Sequence, residues 1–165
     1  MSLIIFLIYL ENYTEFAKTY NISYNITNIW KRGDVWNMKN NYFYAMLSRM
    51  KYINRWGLMR NTRNENLSEH SLEVAFIAHA LGVINNEVFG GDINAERLAV
   101  LGMYHDVTEI ITGDMPTPVK YYSPYIRNAY KEVEQVANEQ MLSGLPEVLR
   151  ARYEGLLLET ENEAG

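Results

Sequence analysis

The sequence predicts an all-α protein, on three observations. From Met38 onward, apolar residues recur at three- and four-residue steps in one block after another, the period of a helix with one face turned inward. Those blocks are bounded by helix-capping residues and by stops containing Gly or Pro. No run alternates apolar and polar residues as a half-buried strand would, and no internal repeat competes.

The first block, "NYFYAMLSRMKYIN", sets Phe43, Met46, Leu47, Met50 and Ile53 along one helix face. Asn66 or Ser68 can cap the second, "EHSLEVAFIAHALGVI", whose inward face is expected to hold Leu72, Ala75, Phe76, Ala80, Val83 and Ile84. "GGD" after Val88 and Phe89 breaks the chain. Asn94 caps the third block, "AERLAVLGMYHDVTEII", and Glu96 sits near the positive end of its dipole. Gly113 and Asp114 end that helix, and Pro116 and Pro118 stiffen the loop beyond it. Ser123 and Pro124 open "YIRNAYKEVEQVANEQML", Gly144 and Pro146 close it, and a last helix runs from Glu147 to Leu158.

Residues 1–37 stand apart. The opening "MSLIIFLIYL" is apolar but about half the length a bilayer demands, and no Lys or Arg precedes it, so it reads as neither anchor nor signal. The Asn-, Ile- and Tyr-rich stretch behind it sustains neither period, and no fold is assigned there.

At 165 residues the chain is one domain's worth, enough to bury roughly two-thirds of its unfolded surface. A net charge of −5 gives no bulk attraction to nucleic acid or anionic membranes, so neither is expected as a partner. With no cysteine there is no disulfide framework and no thiolate for zinc or catalysis, which fits a reducing compartment such as the cytoplasm. Any metal must be held by His, Asp and Glu.

The stretch "MYHDVTEIITGDMPTP" concentrates that chemistry. On one continuous helix His105 and Glu109 share a face and Asp106 lies in the same half of the surface, so three polar groups converge where an apolar helix should be bare. Imidazole and carboxylate suit Zn, Mn, Fe or Co, and an unligated carboxylate nearby can take a proton from activated water. The alternative is a core hydrogen bond for His105, with Asp106 and Glu109 solvated or paired with Arg. His70, in the first turn of its helix, either joins this pair or lies on the surface. His79, nine residues on and turned about 180° away, reads as an ordinary partly buried histidine. "INRWGLMRNTRNENLSEHS" adds Arg55, Arg60 and Arg63 for phosphate and Trp56 as a flat wall for a sugar or base, or else a solvated basic strip around one buried Trp. Asp114 and Thr117, in a turn stiffened by two prolines, are either binding groups or a polar helix stop.

These stretches resemble the bacterial HD-domain 5'-deoxynucleotidases of the HD phosphohydrolase superfamily. The likeness is carried by "MKNNYFYAMLSRMKYINRWGLMRNTRNENLSEHS", "AHAL", "FGGDINAERLAVLGMYHDVTEIITGDMPTPVKYY" and "PEVLR". It implies an all-α HD-domain bundle over residues 38–165, preceded by an unrelated extension over 1–37 with Met38 as the natural start. It also implies a homodimer and hydrolysis of deoxyribonucleoside 5'-monophosphates.

By this resemblance His70, His105 and Asp106 match metal ligands for one divalent ion, Co, Mn or similar. Glu109 matches the acid/base residue, Arg55 the group orienting the phosphate, and Trp56 the one packing against deoxyribose. His70, Asp106, Asp114, Met115, Pro116 and Thr117 match further substrate contacts. The resemblance places a fourth ligand, an Asp, on a helix beyond Gly165, so the bundle is expected to be incomplete at its C-terminal end. Glu159, Glu161 and Glu163 are not expected to replace that Asp. A weakly active or inactive nucleotide-binding module is the alternative.

Overall fold

Asn66 starts the longest helix among the described residues, and the reason is local. Its side chain accepts from the backbone N–H of Ser68 (3.0 Å) and Glu69 (3.1 Å), while Glu69 reaches back to the N–H of Asn66 (3.2 Å), a closed capping box. Of the two caps the sequence offered, Asn66 is the one used.

The computed structural model describes residues 42–56 and 63–158, so expectations for residues 1–41, 57–62 and 159–165 lie outside the described residues. The elements in order are α1 (Phe43–Leu47), a 3-10 turn (Met50–Tyr52), α2 (Leu67–Phe89), α3 (Ala95–Tyr104), α4 (Glu109–Thr112), α5 (Thr117–Lys120), α6 (Pro124–Leu142) and α7 (Glu147–Leu157). Among the described residues there is no strand, only an isolated bridge between Asn54 and Asn66. The all-α expectation holds.

The caps on α3 and α6 are those predicted: Asn94 accepts from Arg97 N–H at 2.8 Å and Ser123 from Ile126 N–H at 3.2 Å. Gly113 stops α4 with a φ of +76°, a backbone conformation that disfavours any other residue.

The core gathers Phe43, Met50, Leu67, Val107, Ile110, Met141, Leu142 and Leu145, with Tyr153 of α7 edge-on to Phe43 at 4.9 Å. Val107 is fully buried in it, which pins the turn that carries His105 and Asp106. α2 and α3 run antiparallel and nearly backbone to backbone. A Cβ on Gly82 would come within 2.9 Å of Ala95, and one on Gly102 within 2.9 Å of the Ala75 Cα. That register brings the start of α2, with His70, beside the end of α3, with His105.

Several expectations are corrected. The first block is not one helix: Ser48 bonds back to the Ala45 carbonyl at 2.7 Å and Arg49 N–H closes on Met46 at 2.8 Å, tightening the chain into the 3-10 turn. The third block also splits. α3 ends at Tyr104, and residues 105–108 wind more tightly through three-residue bonds such as Glu109 N–H to the Asp106 carbonyl, 3.0 Å. The predicted Pro loop includes the short helix α5, with Pro116 as its cap.

On α2 the inward face is Leu67, Ser71, Ala75 and Gly82, whereas Leu72, Phe76, Val83 and Ile84 are exposed and so is Ala80. α3 takes the face of small residues because only that face lets the two backbones approach. His79 is exposed rather than partly buried. By length and composition alone α2 is long and apolar enough to cross a membrane, yet its first turn carries Glu69 and His70 and its small-residue face packs on α3.

Candidate active site

Two distant stretches of chain, around Glu65 and over residues 106–114, converge on Arg55. The extended chain after the 3-10 turn holds it by a bond from its N–H to the Glu65 carbonyl, 2.9 Å. Its guanidinium Nη1 donates to Asp106 Oδ2 and Asp114 Oδ1, both at 3.1 Å, and lies 3.8 Å from Glu109 Oε2. All four side chains are largely withdrawn from water. Burying three carboxylates around one cation is costly unless another positive charge enters.

The histidines frame the same point. Asp106 Oδ2 lies 3.1 Å from His105 Nε2 and 3.6 Å from His70 Nε2, and the two imidazole rings are 5.4 Å apart. His105 Nδ1 is bonded to the Gly102 carbonyl at 2.8 Å, which turns Nε2 toward Asp106. Glu65 stands 3.7 Å behind His70 Nδ1. One donor atom each from His70, His105 and Asp106 lies within 4.8 Å of the others. Two imidazole nitrogens and a carboxylate oxygen at that spacing are a donor set for a divalent ion of the Zn, Mn or Co type. His70, His105 and Asp106 are the residues that would hold such an ion.

Glu109 closes the far side. Lys120 donates to its Oε1 at 2.9 Å, while the buried Oε2 has no hydrogen-bond partner. Lys120 also reaches Glu134 Oε1 at 3.5 Å and lies over the Tyr130 ring at 4.8 Å.

The proton affinities follow from these contacts. Burial pushes the Asp106 carboxyl up, but the His105 bond and the charges of His105, Arg55 and His70 outweigh it and hold it below the usual range. Burial pulls His105 down, and its bond to Asp106 more than restores it, leaving it raised. His70 is lowered, by burial and then by the Arg55 charge. Glu109 is pushed up to about 7 by burial and by neighbouring Asp106, against the pull of Lys120. Lys120 is raised because its bond to Glu109 outweighs its burial.

The 5'-deoxynucleotidase YfbR-like family model matches residues 42–165. The chain belongs to this family. It is 54% identical over 121 residues to a 5'-deoxynucleotidase of Photorhabdus laumondii, covering 73% of this chain and 61% of that one. With the 5'-deoxynucleotidase of Pectobacterium atrosepticum it is 55% identical over 120 residues, covering 73% and 60%. The chain thus spans about three-fifths of the length of these curated relatives. Among solved structures, an HD-domain phosphohydrolase from Listeria innocua superposes with a TM-score of 0.61 at 28% identity, over 69% of this chain and 54% of that one.

Of the residues singled out in this YfbR-like sequence, the fold joins Arg55, His70, His105, Asp106, Glu109 and Asp114. Asp114 also accepts the backbone N–H of Trp56, whose side chain is partly exposed. The rest of that turn is placed more loosely: Met115 is half-buried, Pro116 caps α5, and Thr117 is exposed. Arg63 is a solvent-facing partner of Glu73 at 3.3 Å, not part of the cluster, and Arg60 lies outside the described residues. Sequence reasoning passed over Glu65, Lys120, Tyr130 and Glu134. Lys120 closes the "PTPVK" run, but no spacing rule links it to Glu109, since the contact depends on how α5 and α6 fold back.

Proposed function

We propose that residues 38–165 form the HD domain of a metal-dependent phosphomonoesterase that hydrolyses deoxyribonucleoside 5'-monophosphates to deoxyribonucleoside and phosphate, residues 1–37 lying outside it. The observation that carries this reading is the convergence of His70, His105 and Asp106 within 4.8 Å beside a buried carboxylate oxygen, Glu109 Oε2, that has no hydrogen-bond partner. The names of the relatives supply the substrate class.

His70, His105 and Asp106 would hold one divalent ion, Co, Mn or similar. When bound, such an ion supplies a Lewis acid for the phosphoryl oxygens and makes water more acidic. Arg55, buried among three carboxylates, keeps a positive charge where negative charge accumulates on phosphorus. Glu109, pushed up to about 7, is suited to take a proton from water and return it near neutral pH. Water oxygen forms the new bond to phosphorus, the bond from phosphorus to the 5'-oxygen breaks, and one water proton ends on that oxygen. Trp56 offers an indole face to the sugar, and the turn from Asp114 through Met115 and Pro116 to Thr117 contacts the substrate. The enzyme works as a cytoplasmic homodimer without nucleic-acid polymers or membranes as partners.

Phosphate release from dAMP with Co or Mn tests the reading. The expected result is metal-dependent turnover that Glu109→Gln lowers by about 10²- to 10⁴-fold while cobalt still binds. Thermal stabilisation by dAMP with no phosphate released would replace catalysis with a binding module.

A further inference from the structure

Resting on the reading of Glu109 as the proton-handling group, we propose that Lys120 is a positioning residue that clamps one oxygen of Glu109 so that the other faces the reaction. An ammonium has three N–H directions, and three neighbours surround this one. Glu109 Oε1 is at 2.9 Å, Glu134 Oε1 at 3.5 Å, and the Tyr130 ring centre at 4.8 Å. Lys120 is therefore a fixed post and not a free cation waiting for phosphate.

The post is itself anchored. Tyr130 and Glu134 are four residues apart on α6, so both project from one face of that helix toward Lys120. The Tyr130 hydroxyl donates to Thr112 Oγ1 at 3.3 Å, tying α6 to the last turn of α4, the helix that Glu109 begins. Lys120 ends α5, directly after the turn that sends Asp114 to Arg55. One side chain thus links the helix bearing Glu109, the substrate-side turn and the packed face of α6.

The two oxygens of Glu109 end up with different tasks. Oε1 is occupied by Lys120, and Oε2 is buried, without a hydrogen bond and 3.8 Å from Arg55 Nη1, on the side where Asp106 and the histidines converge. A carboxylate free to rotate would divide its time between orientations, and small displacements at a reacting group cost rate steeply. Lys120 removes that freedom.

Single and double variants of the full chain test this through dAMP hydrolysis with cobalt. In Lys120→Met we expect kcat to fall about 10-fold or more with KM within about two-fold. Lys120→Arg should restore part of the loss, and Glu134→Gln, which loosens the post without removing it, should give a smaller fall. Combined with Glu109→Gln, Lys120→Met should add almost nothing, as befits a residue acting through another. Cobalt affinity by calorimetry should stay within about two-fold, because the clamp touches Glu109 and not the ligand atoms. Undiminished kcat in Lys120→Met, or additive losses in the double variant, would overturn the positioning role alone. No phosphate from the unsubstituted chain would overturn the reaction and the positioning role together.

Discussion

Asp106 and Glu109 lie one turn apart, both near the same Arg55 guanidinium, yet their carboxyls are driven in opposite directions. Asp106 faces two imidazoles, accepts from Arg55 Nη1 at 3.1 Å, and is held below the usual carboxyl range. Glu109 is buried beside the charge of Asp106, with Lys120 hydrogen-bonded to one oxygen and Arg55 3.8 Å from the other. Similar chemistry three residues apart is thus divided between a carboxyl held negative and one that tolerates either protonation state. The division comes from surroundings that neither residue's own helix provides.

The sharpest way to break this comparison is at its shared corner. Asp106→Asn removes the charge that Arg55, His70 and His105 all face, and cobalt affinity is expected to fall by at least about 100-fold by calorimetry, with phosphate release lost alongside it. Retained affinity would show that the two histidines suffice.

The pH dependence of stability in metal-free protein sharpens it next. The folded state raises Glu109 from 4.5 to about 7, so between those values the native chain holds a proton the unfolded chain has lost. Its contribution is present at low pH and is lost as pH rises through about 7, an effect on the order of 3 kcal/mol. Asp106 has the opposite sign: its contribution is present above its unfolded value and disappears as pH falls through its depressed folded one. Subtracting the urea-derived stability profile of Glu109→Gln from that of the parent should isolate the falling limb between about pH 4.5 and 7. A flat difference would mean that Glu109 is ionised throughout.

The smallest effect belongs to Arg63, a solvated partner of Glu73. Arg63→Ala should leave phosphate release unchanged and shift Tm by no more than about 2 °C. A large loss of turnover would return Arg63 to the phosphate site.

Much of the fold was legible because helix ends are local. Asn94 and Ser123 cap where their chemistry requires, Asn66 proved the better of two candidate caps, and Gly113 stops α4. The breaks within the first and third blocks were not legible, since apolar periodicity looks alike across a tight 3-10 turn and an unbroken helix. The inward face of α2 was misread for a related reason. Size and hydrophobicity favoured Leu72 and Phe76, whereas close backbone packing against α3 selected Ser71, Ala75 and Gly82.

The sequence by itself determined the helical class, the residue types able to bind a metal without cysteine, and the adjacency of His105 and Asp106, because these depend on composition and near neighbours. Tertiary structure decided that His70 joins that pair, that Arg55 and Asp114 meet beside it, and that Lys120 holds Glu109 from behind. Those contacts span from 11 to 59 positions along the chain. Contacts of that kind form only when helix packing brings distant backbone together, and no local periodicity encodes them.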